Sequence, residues 1–356
     1  MAQVEQAKAE LLETLEMQRI GCEMAGSPLY AEILAAVATD VTAGGPCGRL
    51  LGPFAQAPFG DAVSLRFLAA LHLLVLDGRE PDLAAHYPSA GGQPGPAVGL
   101  AFLAAVARHE AEVAELLNLG VQTNEVGRSA SLLGGYLELG RLGLPLRILE
   151  IGASAGLNLR FDRYRYDAGE ATFGPTDSRL RFVDPWVGRA PDLSAPLVVA
   201  SRRGCDLHPI DPTSAAGRVR LRAYVWPDQT QRRARLDAAL TVAEQLPVTV
   251  DRADAVVWAT EHLSKPMPGQ VTVLVHSILF QYLPPDSRRA LLAVIDGAGA
   301  RATKDAPMAW LRMEPGGDQA ETRLTGWPGG RSQLVATSSF HGPPVAWRAS
   351  DQVPAP

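Results

Sequence analysis

LRILEIGASAGLNLRFDRYRY, residues 146–166, is where the character of the chain changes. An apolar run from Leu146 to Ile151 gives way to the small residues Gly152–Gly156 and then to a polar helical pattern. A strand, a tight turn and a helix are expected in that order. Upstream, residues 1–140 read almost wholly helical. EQAKAELLETLEMQRIGCEMA places apolar residues three and four apart. SPLYAEILAAVATDV opens with Ser27 as a cap and Pro28 at the first helical position. DAVSLRFLAALHLLVLDG is apolar on most sides, which suits a central helix. Downstream, short β-rich runs alternate with helices. Strands are expected at Arg147–Ile151, Leu197–Arg202, Val248–Val250, Val271–Val275 and Met308–Met313. Helices are expected over Gln231–Gln245, Ala255–Leu263 and Asp286–Ala300. Gln333–Phe340 and Val345–Arg348 close the chain as a hairpin around Gly-Pro-Pro. This alternation predicts an α/β fold, a parallel sheet with helices on both faces. The stretch near 168–192 breaks the rhythm and reads as a small insertion. The expected domains are therefore a helical N-terminal lid or substrate domain, 1–140, and an α/β domain, 141–356.

Three readings compete for the turn. A dinucleotide loop wants Gly-x-Gly-x-x-Gly, so that backbone can approach a pyrophosphate. Here the glycines are spaced Gly-x-x-x-Gly, with Ser154 between them. S-adenosylmethionine (SAM) carries no pyrophosphate. Its loop needs small residues that let backbone pass close to the amino-acid moiety, and an acid at the strand end to face the ammonium group. Glu150, Gly152, Ala153, Ser154 and Gly156 meet that requirement. Gly-x-Ser-x-Gly is also the spacing of a nucleophile elbow, with Ser154 as nucleophile and Asp254 and His276 following in order. Such an elbow normally has several strands before it, whereas here the sheet begins at this strand. The third reading is a plain βα corner.

The bulk properties bound the rest. The chain has 356 residues, 47% apolar and 20% charged, as expected of a soluble protein of enzyme size. A net charge of −5 gives no broad basic footprint, so nucleic acid is not an expected partner. Cys22, Cys47 and Cys205 lie too far apart for a disulfide framework or a Cys-x-x-Cys metal pair. No basic segment followed by an apolar stretch opens the chain, and Leu65–Leu76 is too short to span a bilayer. A cytoplasmic protein without a membrane partner is expected; the sequence does not specify an oligomeric state.

With these residues in view, the turn resembles motif I of class I SAM-dependent methyltransferases, with Ser in place of the middle glycine. The whole chain resembles a family of uncharacterised bacterial proteins grouped with that superfamily. That likeness rests on QTNEVGRSA (122–130), LEIGASAGLNL (149–159), RRGCDLHPIDP (202–212), YVWPDQ (224–229) and VHSILFQYL (275–283). The resemblance implies a Rossmann-like sheet with a terminal hairpin, SAM at the carboxyl ends of the first strands, and methyl transfer to a small-molecule or peptide acceptor. It implies no particular acceptor. Carried over position by position, Glu150, Gly152, Ser154 and Gly156 match motif I. Asp206 is the ribose acid after the second strand, with Asp211 as fallback, and Asp254 meets the adenine amino group. The segment between Gly156 and Asp206 is longer than the superfamily pattern; unless it is an insertion, the second-strand assignment fails and Asp206 with it.

Other residues have two readings each. Gln122, Asn124, Glu125 and Arg128 either line a polar pocket over the cofactor or form a buried network that fixes the helical half onto the sheet. Glu125 is the better general base, since a carboxylate in a covered cleft can be raised toward neutrality. His276 ends a strand at a ligand-facing edge, as a second catalytic residue or a structural one. Cys205, Asp206, His208 and Asp211 fit no common zinc spacing, so no metal is expected. Asp228 reads as a cap for the helix after it. Arg160, Arg163 and Arg165 read as a solvated basic face. Against a methyltransferase stand SAM-fold chemistry without methyl transfer, a non-catalytic regulatory binding protein, and the serine hydrolase.

Overall fold

The computed structural model describes residues 2–118, 120–121 and 123–348. The chain divides into two units: one takes in the chain up to Thr123 together with Ser214–Ala234, the other Asn124–Thr213 and Arg235 onward. The division thus falls before the polar loop at 124–128, which belongs with the sheet. Ser214–Ala234, read from sequence as part of the α/β domain, belongs with the helices.

The first unit contains α1 (Ala2–Met24), α2 (Pro28–Ala43), α3 (Pro46–Leu51), α4 (Val63–Leu76), α5 (Pro81–Ala84), α6 (Val98–Arg108) and α7 (Glu110–Leu116). In chain order α8 (Arg128–Gly140) then opens the second unit, and α9 (Ala215–Ala223) belongs to the first. Ser27 caps α2 as its sequence suggests, accepting from Tyr30 N, and Pro28 follows at the first turn. Asp228 does not cap the helix after it. Its carboxylate accepts from Ser27 Oγ at 2.7 Å and Leu29 N at 3.2 Å, reinforcing the start of α2. α4 is central, with Phe67, Leu68, Leu71 and Leu74 fully buried. Its His72 is buried too, held by Ser89 Oγ and Ala223 O, and burial pushes its pKa down to about 3.

The second unit is built on an eight-stranded mixed sheet. Its strands are β1 (Leu146–Ile151), then, after a small three-stranded sheet of β2 (Arg165–Ala168), β3 (Ala171–Phe173) and β4 (Arg181–Val183), β5 (Val199–Asp206), β6 (Thr249–Arg252), β7 (Val271–Ser277), β8 (Met308–Pro315), β9 (Ala320–Trp327), β10 (Arg331–Ser339) and β11 (Gly342–Trp347). The order is β11-β10-β9-β8-β7-β1-β5-β6. From β6 to β8 the neighbours are parallel, and from β8 to β11 they form an antiparallel meander. β7, VTVLVHS, is buried along almost its whole length, as a central parallel strand must be. Helix α10 (Thr230–Gln245) leads the chain back to the sheet. α11 (Ala255–His262) and α12 (Pro285–Ala300) cover one face over Leu149, Ile151, Leu274 and Trp310. α8 covers the other and comes close because Gly134 and Gly135 lack the Cβ that would strike Trp347 and Leu311.

The fold is α/β, with two departures from expectation. The insertion is a three-stranded sheet, because Arg165–Ala168 is a strand and no part of a helical face. The closing element is longer than a hairpin: β9 intervenes directly after β8, with no helix between them. Among the described residues no helix is long and apolar enough to cross a membrane.

Candidate functional site

β1 lies between β5 and β7. The chain builds outward from β1 to β5 and β6 and then crosses to β7, so the order reverses at β1. In open α/β sheets the crevice outside the strand ends at such a reversal is where ligands sit. The turn Gly152–Gly156 stands there.

Its backbone is bound on several sides by the protein itself. Ala153 N donates to Cys205 O at 2.9 Å, Gly156 N to Ala153 O at 2.7 Å, and Leu157 N to Asn124 Oδ1 at 3.0 Å. Ser154 N donates to Asp206 Oδ2 at 2.9 Å, and Asp206 Oδ1 accepts from His208 N at 2.9 Å. With these N–H groups engaged, the turn is a poor phosphate cradle. The carbonyls of Ala155 and Gly156 accept from Arg160 Nη1. Arg160 is 2% exposed and also donates to Leu246 O, so it is an internal clamp on the turn and not a solvated residue. Gly152 has φ +67°, and a Cβ there would lie 2.7 Å from Leu279 Cδ1. Leu279, from the segment after β7, therefore rests against the turn.

Beneath the turn Glu150 is 3% exposed, and its Oε2 has no hydrogen-bond partner. Burial, with the negative charge of Asp206 adding, pushes its pKa up to about 8 against the pull of Arg128 and Arg160. The polar loop is joined to the same place. Asn158 receives from Ser129 Oγ at 2.7 Å and donates to Glu125 O at 3.3 Å. The buried Glu125 carboxylate accepts from Gly127 N at 3.0 Å. The buried Arg128 guanidinium donates to Phe340 O and Ser277 O, both at 3.1 Å. Asn124 and Glu125 are thus tied to the residues that follow the turn, while Arg128 reaches the end of β7 and the residue after β10. Gln122 lies outside the described residues.

Two predicted residues have other duties. His276 is fully buried and both ring nitrogens are engaged: Nε2 accepts from Trp310 Nε1 at 3.0 Å, so Nδ1 carries the proton and donates to Glu314 Oε1 at 2.7 Å. The same carboxylate oxygen accepts from Leu279 N and Phe280 N. His276 is therefore a strut under the segment after β7, with no free nitrogen for proton transfer. Asp254 follows β6 as expected, but its Oδ1 caps α11 by accepting from Val256 N and Val257 N. The fallback acid Asp211 is exposed and accepts from Thr213 N and Oγ1. Among the described residues no group of His, Cys, Asp and Glu could hold a metal ion.

The sequence reading missed Arg160, Asn158 and Glu314. The first two stand inside the quoted stretch but read as helix surface. Glu314 lies on a strand whose pairing with β7 no local pattern reveals.

A family model of uncharacterized proteins conserved in bacteria, DUF2332, matches residues 13–347. The chain belongs to the DUF2332 family. The match runs through both units, from α1 to β11, so the helical part and the meander are family features alongside the turn. No curated protein and no solved structure matches the DUF2332 chain.

Proposed function

We propose that the protein is a SAM-dependent methyltransferase with a Rossmann-like core, acting on a small-molecule or peptide acceptor. The observation that carries the reading is Glu150: a buried carboxylate with an orphaned oxygen, under a small-residue turn at the sheet's reversal point. A buried oxygen without a partner is costly, and an ammonium donor satisfies both its hydrogen bond and its charge. SAM offers such a group, and when bound it supplies an electrophilic methyl carbon. Glu150 would hold the amino end and Gly152–Gly156 would pass beneath it. Asp206, half-buried with one N–H on each oxygen, keeps lone pairs for ribose hydroxyls. Asp254 is exposed beside its cap bonds and open to the adenine amino group. With His276 spent, Glu125 remains the base for a protonated acceptor, and Asn124 and Arg128 orient it. The parallel run β6-β5-β1-β7-β8 supports a Rossmann-like core; the meander after β8 departs from a simple terminal hairpin.

Titration calorimetry with SAM and S-adenosylhomocysteine tests the reading, alongside native mass spectrometry of the purified protein. Saturable binding that Glu150→Gln weakens at least tenfold is expected. No binding of either compound at millimolar concentration would overturn it.

A serine hydrolase is the second reading, because Ser154 has φ +52°, the kind of strained backbone a nucleophile elbow uses. The histidine its spacing offers, His276, is committed to Trp310 and Glu314. Covalent labelling of Ser154 by a fluorophosphonate would promote it.

A further inference from the structure

A second candidate site lies within the helical unit, independent of the sheet-edge reading. A cleft of about 490 Å³ opens between α1 and the turn that links α2 to α3. That volume is within the roughly 300–1,000 Å³ usual for small-molecule pockets. Leu11, Val41 and Ala55 supply apolar walls, and Gly44, Gly48 and Gly52 leave one side without side chains. Among the described residues no aromatic ring lines the cleft, so nothing there would stack on a planar base. A smooth aliphatic slot suits a straight alkyl chain.

The rim is charged with one sign. Lys8 and Arg49 are the two ionisable lining residues among those described. Arg49 is neutralised by a two-pronged pair with Glu110, at 2.9 and 2.8 Å. Lys8 is not: its ammonium donates to Thr42 O at 2.9 Å and, among the described residues, pairs with no carboxylate. Asp40, under Gly45, has its carboxylate on Cys47 N. An aliphatic slot with one uncompensated ammonium at its mouth is complementary to an alkyl chain ending in an anion. We propose that this cleft binds a free linear fatty acid, its chain along the glycine wall and its carboxylate at Lys8.

The test uses the full chain and dodecanoate in titration calorimetry. Gly52 is the blocking position: it lines the cleft, and a Cβ there meets nothing within 4 Å beyond its chain neighbours, so a Gly52→Phe ring has room to enter the slot. Expected results are one saturable site, affinity falling on the order of tenfold from dodecanoate to decanoate, loss of binding in a Gly52→Phe variant that still unfolds cooperatively, and weakening by Lys8→Gln for dodecanoate but not for dodecanol. Absence of saturable binding would overturn the proposal, as would undiminished binding in a folded Gly52→Phe or equal affinity for dodecylamine. So would a wild-type dimer that Gly52→Phe dissociates, since the occupant would then be a second copy of the chain.

Discussion

Replacing Glu150 by glutamine isolates the cost of a buried charge. In the folded protein burial, and secondarily Asp206, lift this carboxyl from its ordinary 4.5 to about 8. The native state therefore holds the proton more tightly than the unfolded chain does. The resulting stabilisation is complete below pH 4.5 and is lost as pH rises through about 8. At about 1.4 kcal/mol per pH unit, the interval corresponds to a ceiling of about 5 kcal/mol. The amide of the Glu150→Gln variant has no such proton to lose. Wild type and Glu150→Gln should thus unfold at similar urea concentrations at pH 5 and diverge steadily up to pH 8. At pH 9 the variant should be the more stable by several kcal/mol. Urea titrations followed by circular dichroism at half-unit pH intervals measure the difference, and the subtraction removes every other titrating group. Parallel stability curves across pH 5–9 would show that Glu150 ionises without penalty. The case for an ammonium ligand at that carboxylate would then lose its physical basis.

Glu314→Ala should cost about 3 kcal/mol, because removing the part-buried carboxylate that holds the buried His276, Leu279 N and Phe280 N leaves donors unpaired; a loss under about 0.5 kcal/mol in urea unfolding refutes the strut. Burial alone would raise the Glu314 pKa, yet the His276 hydrogen bond, with the two N–H groups, brings it below its usual range. Its contribution is thus present above pH 4.5 and disappears on acidification, an effect that Glu314→Gln should flatten. Asp254→Ala should cost about 1 kcal/mol as a lost helix cap while Asp254→Asn stays within a few tenths. Calorimetry on the stable Asn variant then reads any adenine contact separately from capping.

What is legible in the sequence follows from local rules. β1, β7 and β8 are runs of apolar and β-branched residues too short for helices, and the Ser27–Pro28 start of α2 is written in adjacent residues. β9 escapes such a reading although Ala320, Thr322 and Leu324 point inward and alternate with Glu321 and Arg323. The charged half of that alternation, next to the glycines at 316–317, masks a strand with little apolar weight. The candidate site divides the same way. The small-residue turn and the acid before it declare themselves by spacing. The partners of His276 and Asp228 lie 38 and about 200 positions away in sequence, so no window of sequence could reveal them. Arg160 misleads because its charge reads as solvation, when three backbone carbonyls stand ready to accept from it.

The helical unit is assembled from two stretches of chain, and this bears on how the protein can be made and dissected. During synthesis β1 and β5 emerge before Ser214–Ala234, so the helical unit is completed only after part of the sheet already exists. Until then His72 lacks the Ala223 carbonyl, and Ser27 and Leu29 lack Asp228. A recombinant fragment ending at Thr123 would keep that unfinished state permanently, exposing the apolar surface that Trp226 packs against. A fragment that joins Thr123 to Ser214 through a Gly/Ser tether and runs to the end of α10 at Gln245 contains every one of those partners.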